Sequence, residues 1–281
     1  MPGEPDPLYI AARSVLLDAL EALGAQRDAV ILVGAQAIYL YTGAVEFDLP
    51  IAEHTTDADI TIDPDLLKQT PEIEAALMAA GFVRGRRVGA WVTTRQINGD
   101  PVNIELDLMV PEAVGGPGRR AARLAGHAEQ VARKARGLEA ALIDKQIMTI
   151  DALDTSDSRT FRVAVAGPAA LLISKLHKIR ERLAEREHRR LDDKDALDIL
   201  RLLQAIPTAD LARTLRNLLD EAVATTVTRE ALTALEELFS QARRPGVQMA
   251  VRAAGPLAAA EQIAESCAIL TTDLLAAMSK D

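Results

Sequence analysis

Asp57 and Asp59, in the run Thr55-Thr56-Asp57-Ala58-Asp59-Ile60-Thr61-Ile62-Asp63, alternate with apolar residues. Side chains alternate faces along a strand, so the two acids share one face while Ala58, Ile60 and Ile62 share the other. Two carboxylates at this spacing form a hard-oxygen site suited to Mg²⁺, the ion that accompanies nucleoside triphosphates. The stretch Ile104-Glu105-Leu106-Asp107-Leu108 repeats the pattern, with Glu105 and Asp107 in phase. Half-exposed strands with solvated polar faces are the ordinary meaning of such alternation. Like charges facing each other across strands are destabilising, however, unless a cation lies between them. A shared metal site removes that cost. Asp107 is the preferred third ligand over Glu105, because its shorter side chain suits rigid octahedral Mg²⁺.

Upstream, Val33-Gly34-Ala35 ends one apolar run and opens another. A strand that turns directly into a helix at glycine aims free backbone N–H groups and the positive helix end at an anion. A packing glycine in a tight turn would look the same by itself. Beside the acidic strand it reads as a triphosphate cradle.

A second group of charges lies far along the chain. Lys175, Lys178 and Arg182 are three and four apart, on one face of a helix opened by Gly167-Pro168. A solvated basic stripe explains Lys178 and Arg182 equally well. Lys175 follows the apolar run Ala169 to Ile173, so it starts nearer the core and is the lysine expected to hold a triphosphate as a point charge. In Asp192-Asp193-Lys194-Asp195-Ala196-Leu197-Asp198, the first two acids read as helix caps. Asp195 and Asp198 lie one turn into the helix, where one of them is expected to orient Lys175 or act as a base. His54, His127, His177 and His188 lack metal-ligand spacing, and the chain holds no G-x-S-x-G elbow, P-loop or cysteine nucleophile.

The elements that must position these groups follow from periodicity. A helix is expected from about Pro7 to Leu23, a buried strand over Val30 to Val33, a helix after Gly34 and a loop from Thr42 to His54. The acidic strand follows, then a helix from Leu66 to Ala80 ending at Gly81. A hairpin of Ala90 to Ile97 and Val102 to Val110 turns at Asn98-Gly99-Asp100. After a glycine-rich break at Val114 to Gly118, the basic segment Arg119 to Arg136 reads as helical. Met148 to Leu153 and Phe161 to Val165 read as strands. Beyond them only helical patterns occur, with candidate starts at Asp192, Thr208, Thr228 and Pro256. The fold class is therefore α+β: a mixed sheet with flanking helices over residues 1–165, then an all-helical domain over residues 166–281.

Composition sets outer limits. A chain of 281 residues with 49% apolar content can bury a full core. Its net charge of −9 argues against an indiscriminate nucleic-acid coat, though not against a local basic groove. The single cysteine, Cys267, permits no internal disulfide and suits a reducing cytoplasm. No apolar run reaches the length of a membrane span, and the first residues lack the basic start of a signal peptide.

Together these motifs resemble the DNA polymerase β-like nucleotidyltransferase superfamily. Within it the chain looks most like the AbiEii/MenT-type nucleotidyltransferase toxins of type IV toxin–antitoxin systems. The likeness rests on Val33-Gly34-Ala35-Gln36-Ala37, on Thr56-Asp57-Ala58-Asp59, on Lys175 and on Lys194-Asp195-Ala196-Leu197-Asp198, and spans about Ala29 to Leu200. Where the superfamily usually has serine or glycine after the turn glycine, this chain has Ala35, leaving only backbone N–H groups of Gly34 and Ala35 for phosphate.

The resemblance implies two Mg²⁺ ions on Asp57 and Asp59, to which the strand phasing adds Asp107, a triphosphate on Lys175, and Asp195 completing a catalytic cleft to which the helical domain contributes. It further implies transfer of a nucleoside monophosphate to RNA, foremost a tRNA 3′ end, by a cytoplasmic toxin-like enzyme with an antitoxin protein as partner. Arg84, Arg86 and Arg87, and the run Arg119, Arg120, Arg123, Arg133, Lys134 and Arg136, are the basic segments for RNA. The alternatives are an aminoglycoside-like small molecule or a protein as acceptor, or a non-catalytic binding module of the same fold.

Overall fold

The computed structural model describes residues 6–43, 55–184, 193–255 and 259–279. Its contacts divide the chain into two compact units. The first comprises Met1–Ala37, Ala52–Ala135 and Lys145–Ala166; the second comprises Ile38–Ile51, Arg136–Asp144 and Gly167–Asp281. As expected, an N-terminal mixed sheet with flanking helices precedes a helical C-terminal region.

In the first unit, helix α1 (Pro7–Ala22) leads through a 3-10 turn into strand β1 (Val30–Val33), from which helix α2 (Gly34–Thr42) departs without a linker, its residues from Ile38 onward being counted in the second unit. Strand β2 (Asp57–Ile62), helix α3 (Ile73–Ala79) and strands β3 (Val83–Arg84), β4 (Ala90–Ile97), β5 (Asp100–Pro111), β6 (Arg133–Ala135), β7 (Lys145–Asp151) and β8 (Thr160–Ala166) follow. The sheet runs β3-β4-β5-β2-β1-β8-β7, with β6 pairing β5 beside that path. β2 lies antiparallel to β1 and parallel to β5, so the two acidic strands are neighbours. Helix α1 covers β2, β4 and β5, burying Leu16 and Leu20 with Ile60, Ile62, Leu106 and Leu108.

The second unit is built from helices α4 (Pro168–Ala184), α5 (Lys194–Ala205), α6 (Thr208–Asp220), α7 (Thr225–Phe239), α8 (Pro245–Ala254) and α9 (Ala260–Met278). Helix α4 packs on α5 and α7, α5 on α8, and α6 on α9. Among the described residues no helix is long and apolar enough to cross a membrane.

Three local expectations are corrected. The segment Arg119 to Arg136 is not helical: it carries β6 and a bridge from Ala121 to Arg133. Gly118, Gly126 and Gln130 adopt positive φ, which no helix tolerates, and its backbone pairs long-range instead, as in Ala122 N–H to the Ala132 carbonyl and Trp91 Nε1–H to the Val131 carbonyl. Helix α3 begins at Ile73 rather than Leu66. Pro71 keeps its predecessor out of helical conformation, and the buried Gln26 amide donates to the carbonyls of Lys68 and Pro71. In the second unit α7 starts at Thr225, and α8, with Pro245 in its first turn, was not among the expected starts. The expected starts at Asp192 and Pro256, the loop residues 44–54, His54 and His188 lie outside the described residues.

Candidate active site

β2 has the expected alternation, with Ala58, Ile60 and Ile62 buried and Asp57 and Asp59 half-buried on the opposite face. The parallel register sets Asp57 beside Glu105 and Asp59 beside Asp107, so four carboxylates share one face of two adjacent strands. The antiparallel register sets Asp59 opposite Val33, the last residue of β1. Gly34 therefore meets the Asp59 side chain directly. A Cβ on Gly34 would stand 2.0 Å from Asp59 Oδ2, and its φ is +72°. Only glycine allows both that approach and that conformation.

The Asp57 position is held from behind. Gln36 Nε2 donates to the Asp57 carbonyl at 3.1 Å, and Arg13 Nε donates to Gln36 Oε1 at 2.8 Å. Arg13, buried in α1, also donates to the Asp151 carbonyl at 2.9 Å and the Tyr9 hydroxyl at 3.0 Å. The buried Thr55 Oγ1–H donates to Asp57 Oδ1 at 2.6 Å, fixing one carboxylate oxygen. Arg13 is not among the site residues the sequence points to. Its one legible signal is a lone arginine inside the apolar stripe of α1.

The other two acids are engaged by arginines. Glu105 pairs with Arg87. Asp107 accepts from Arg133 Nε at 3.1 Å on each oxygen and from a terminal guanidinium nitrogen at 2.7 Å on Oδ2. Asp107 thus stands on the expected face but is already neutralised by its own cation. Among the described residues no group of three or more His, Cys, Asp or Glu side chains is arranged to hold a metal ion. The Asp57–Asp59 pair fits a magnesium ion held by two carboxylates and completed by substrate phosphates and water, the usual mode for this ion. The three-carboxylate set does not form in this arrangement.

In the helical unit Lys175, Asp195 and Asp198 come together. Lys175 Nζ donates to Asp195 Oδ1 at 2.5 Å and Asp198 Oδ2 at 2.8 Å, with all three residues at most 5% exposed. Arg182 donates to Asp195 Oδ2 at 2.5 Å, and Lys178 approaches Asp195 at 3.3 Å. Burial opposes the charge on Lys175, but the two carboxylates override it and hold the ammonium well above its usual range. Asp195 is likewise pushed upward by burial and pulled below the ordinary carboxylate range by Lys175, Lys178 and Arg182. Asp198 Oδ1 is buried with no hydrogen-bond partner among the described residues. Asp195 and Asp198 both orient Lys175, and the outward cations of this knot are Lys178 and Arg182, whose side chains are 39% and 22% exposed.

The basic segments are mostly spent on internal partners. Arg84 bonds Glu74, Arg136 bonds Glu230, and Lys134 donates to the Gly116 and Gly118 carbonyls. Arg86, Arg119, Arg120 and Arg123 are exposed.

The strand–glycine–helix turn is thus pressed on the second acid of the Asp-x-Asp strand. A family model described as nucleotidyltransferase matches residues 13–227, and the chain belongs to that family. No curated protein matches the chain.

Proposed function

We propose that the chain transfers a nucleoside monophosphate from a nucleoside triphosphate to a hydroxyl of an RNA acceptor, foremost a tRNA 3′ end, as a toxin-like growth inhibitor. The observation that carries this is the contact of Gly34 with the Asp59 carboxylate, in a chain of the nucleotidyltransferase family. It sets anion-binding backbone N–H groups beside cation-binding oxygens, which are the two halves of a metal–triphosphate complex.

In this account the acceptor oxygen attacks the α-phosphorus, the bond to the β-phosphate breaks, pyrophosphate leaves and the hydroxyl proton is released. Asp57 and Asp59 would hold magnesium, which supplies charge neutralisation to the phosphates and acidifies the attacking hydroxyl. Thr55 and the Arg13–Gln36 pair keep Asp57 in place. The N–H groups of Gly34 and Ala35 receive phosphate oxygens. Lys175 and Asp195 act as one neutralised unit that presents Lys178 and Arg182. Exposed Arg86, Arg119, Arg120 and Arg123 supply the local positive surface that an acidic chain needs for RNA, since phosphate contacts dominate such affinity.

The test is incubation of the full chain with total RNA and each labelled triphosphate in turn, with magnesium. Label is expected in the tRNA fraction with one triphosphate favoured. Label on a small molecule or protein alone overturns the RNA acceptor, and no label anywhere overturns transfer. Expression in a bacterium should slow growth only when Asp57 and Asp59 are intact, with relief by an antitoxin protein as the further outcome of a toxin role.

A further inference from the structure

Arg133 reaches the acidic face by a route built into the sheet. β4 stops pairing with β5 at Ala90 opposite Asp107, and β6 takes over with Arg133 opposite Met109. Gly89 sits at the junction, where a Cβ would stand 2.4 Å from the Leu108 carbonyl and 2.6 Å from the Arg133 nitrogen. Its N–H donates to the Gln130 carbonyl and its carbonyl accepts from Leu108 N–H. Buried Trp91, bonded to the Val131 carbonyl at 3.0 Å, fixes the same segment from the other side. The guanidinium is therefore delivered by backbone geometry rather than by a loose surface side chain.

The two arginine–carboxylate pairs of this face are unequal. Arg87 and Glu105 have side chains 52% and 34% exposed, which is the regime of weak, screened pairing. Arg133 and Asp107 are 30% and 9% exposed, and the pairing engages both carboxylate oxygens. Two-point guanidinium–carboxylate pairing with little solvent is the strong form. A divalent cation recruiting Asp107 would have to break that pairing and would then face the displaced guanidinium as a like charge.

We infer that Arg133 is a built-in counter-cation that holds Asp107 out of the metal set, so the Asp57–Asp59 pair takes up a divalent ion weakly on its own and firmly only as a metal–triphosphate complex. This rests on the nucleotidyltransferase reading of the same face. Arg133 is then a positioning residue that sets metal affinity through Asp107.

Mn²⁺ binding to the full chain without nucleotide, read as loss of the free-ion electron resonance signal, tests this. Arg133→Gln should bind Mn²⁺ roughly tenfold or more tighter than the wild type, by removing the repelling charge and releasing Asp107. Arg133→Lys should stay close to the wild type. The gain should vanish when Asp107→Asn is added to Arg133→Gln. Arg133→Met, which keeps the aliphatic volume, gives the same readout should the glutamine variant fail to fold. Equal affinity in wild type and Arg133→Gln, a gain that survives Asp107→Asn, or unfolding of both uncharged variants would overturn the inference. Because no transfer is measured, an inactive chain with this Mn²⁺ pattern would sink the acceptor chemistry and leave Arg133's role standing.

Discussion

Aspartates two apart on β2 and three apart on α5 belong to two clusters of similar composition and opposite deployment. On the sheet, Asp57 and Asp59 are half-buried and face two further acids, and Asp57 is supported by a hydroxyl and by a backbone-directed Gln36–Arg13 relay. In the helical unit, Asp195 and Asp198 are at most 2% exposed and share the ammonium of Lys175. The first arrangement keeps its carboxylates half-exposed and within reach of solvent. The second cancels its charge internally and seals it. Half-buried carboxylates at a sheet surface are within reach of a cation from solution, whereas a buried, paired set holds helices together. The difference lies in packing, since the residue types are the same.

The largest effect on stability is expected in the helical knot. Lys175→Met should destabilise the fold by about 3–5 kcal/mol, the cost of stranding a buried charge partner, seen as a fall in melting temperature. The corresponding sheet variants, Asp57→Asn and Asp59→Asn, should leave melting unchanged or slightly raised, because they relieve like-charge repulsion. Equal losses in the two regions would erase the distinction.

The knot also carries a pH signature. Asp195 is held below the ordinary range in the folded chain, so its stabilising share is full above the unfolded pKa, about 4, and drains away as pH falls through the lower folded value. Lys175 is held high, so its share is full below about pH 10 and is lost only as pH rises through the folded value. The melting difference between wild type and Asp195→Asn should therefore be flat across neutral pH and shrink below about pH 4. A difference that shrank between pH 6 and 8 would contradict the paired assignment.

Gly34→Ala is expected to cost about 1–2 kcal/mol from the left-handed backbone alone and to push the Asp59 carboxylate away from its contact. Transfer should fall about 100-fold, the scale of a small misplacement at a reacting centre. Near-normal turnover in that variant would remove the glycine from the site.

The smallest effect separates burial from pairing. Asp144 is half-buried and accepts helix N–H groups from Ala170, at 2.9 Å, and from Ala169, with no cation in its hydrogen bonds among the described residues. Burial pushes its carboxyl up, and the bonds from Ala170 and Ala169 only partly offset this. Its charge is thus a penalty that grows as pH rises through the raised value. Asp144→Asn should raise the melting temperature slightly at neutral pH and lose that advantage in acid.

Much of the sheet site was legible because strand alternation is local: Asp57 to Ile62, the Gly34 turn and the Asn98–Gly99 hairpin each declare themselves within a few residues. Register between β2 and β5 was foreseeable only in outline, from two acidic strands in phase. In the sequence Arg133 reads as one charge of a basic helical segment, since its partner Asp107 lies 26 residues away and the chain gets there through positive-φ positions and a three-residue strand. Lys175 reads as near the core from the apolar run before it, and one of Asp195 and Asp198 is expected to orient it. Its complete neutralisation was not foretold, because burial depends on how α4, α5 and α8 pack.

The central claim is that the chemistry belongs to the half-buried acidic face. Its most direct test is transfer of labelled nucleotide to RNA by the Asp57→Asn/Asp59→Asn double variant, with melting recorded on the same preparation. Transfer should fall by at least ~1,000-fold, the upper scale for losing a group that stabilises the transition state, while melting stays at or above that of the wild type. Transfer within about tenfold of the wild type, a loss of only ~1.4 kcal/mol in transition-state terms, would contradict the assignment.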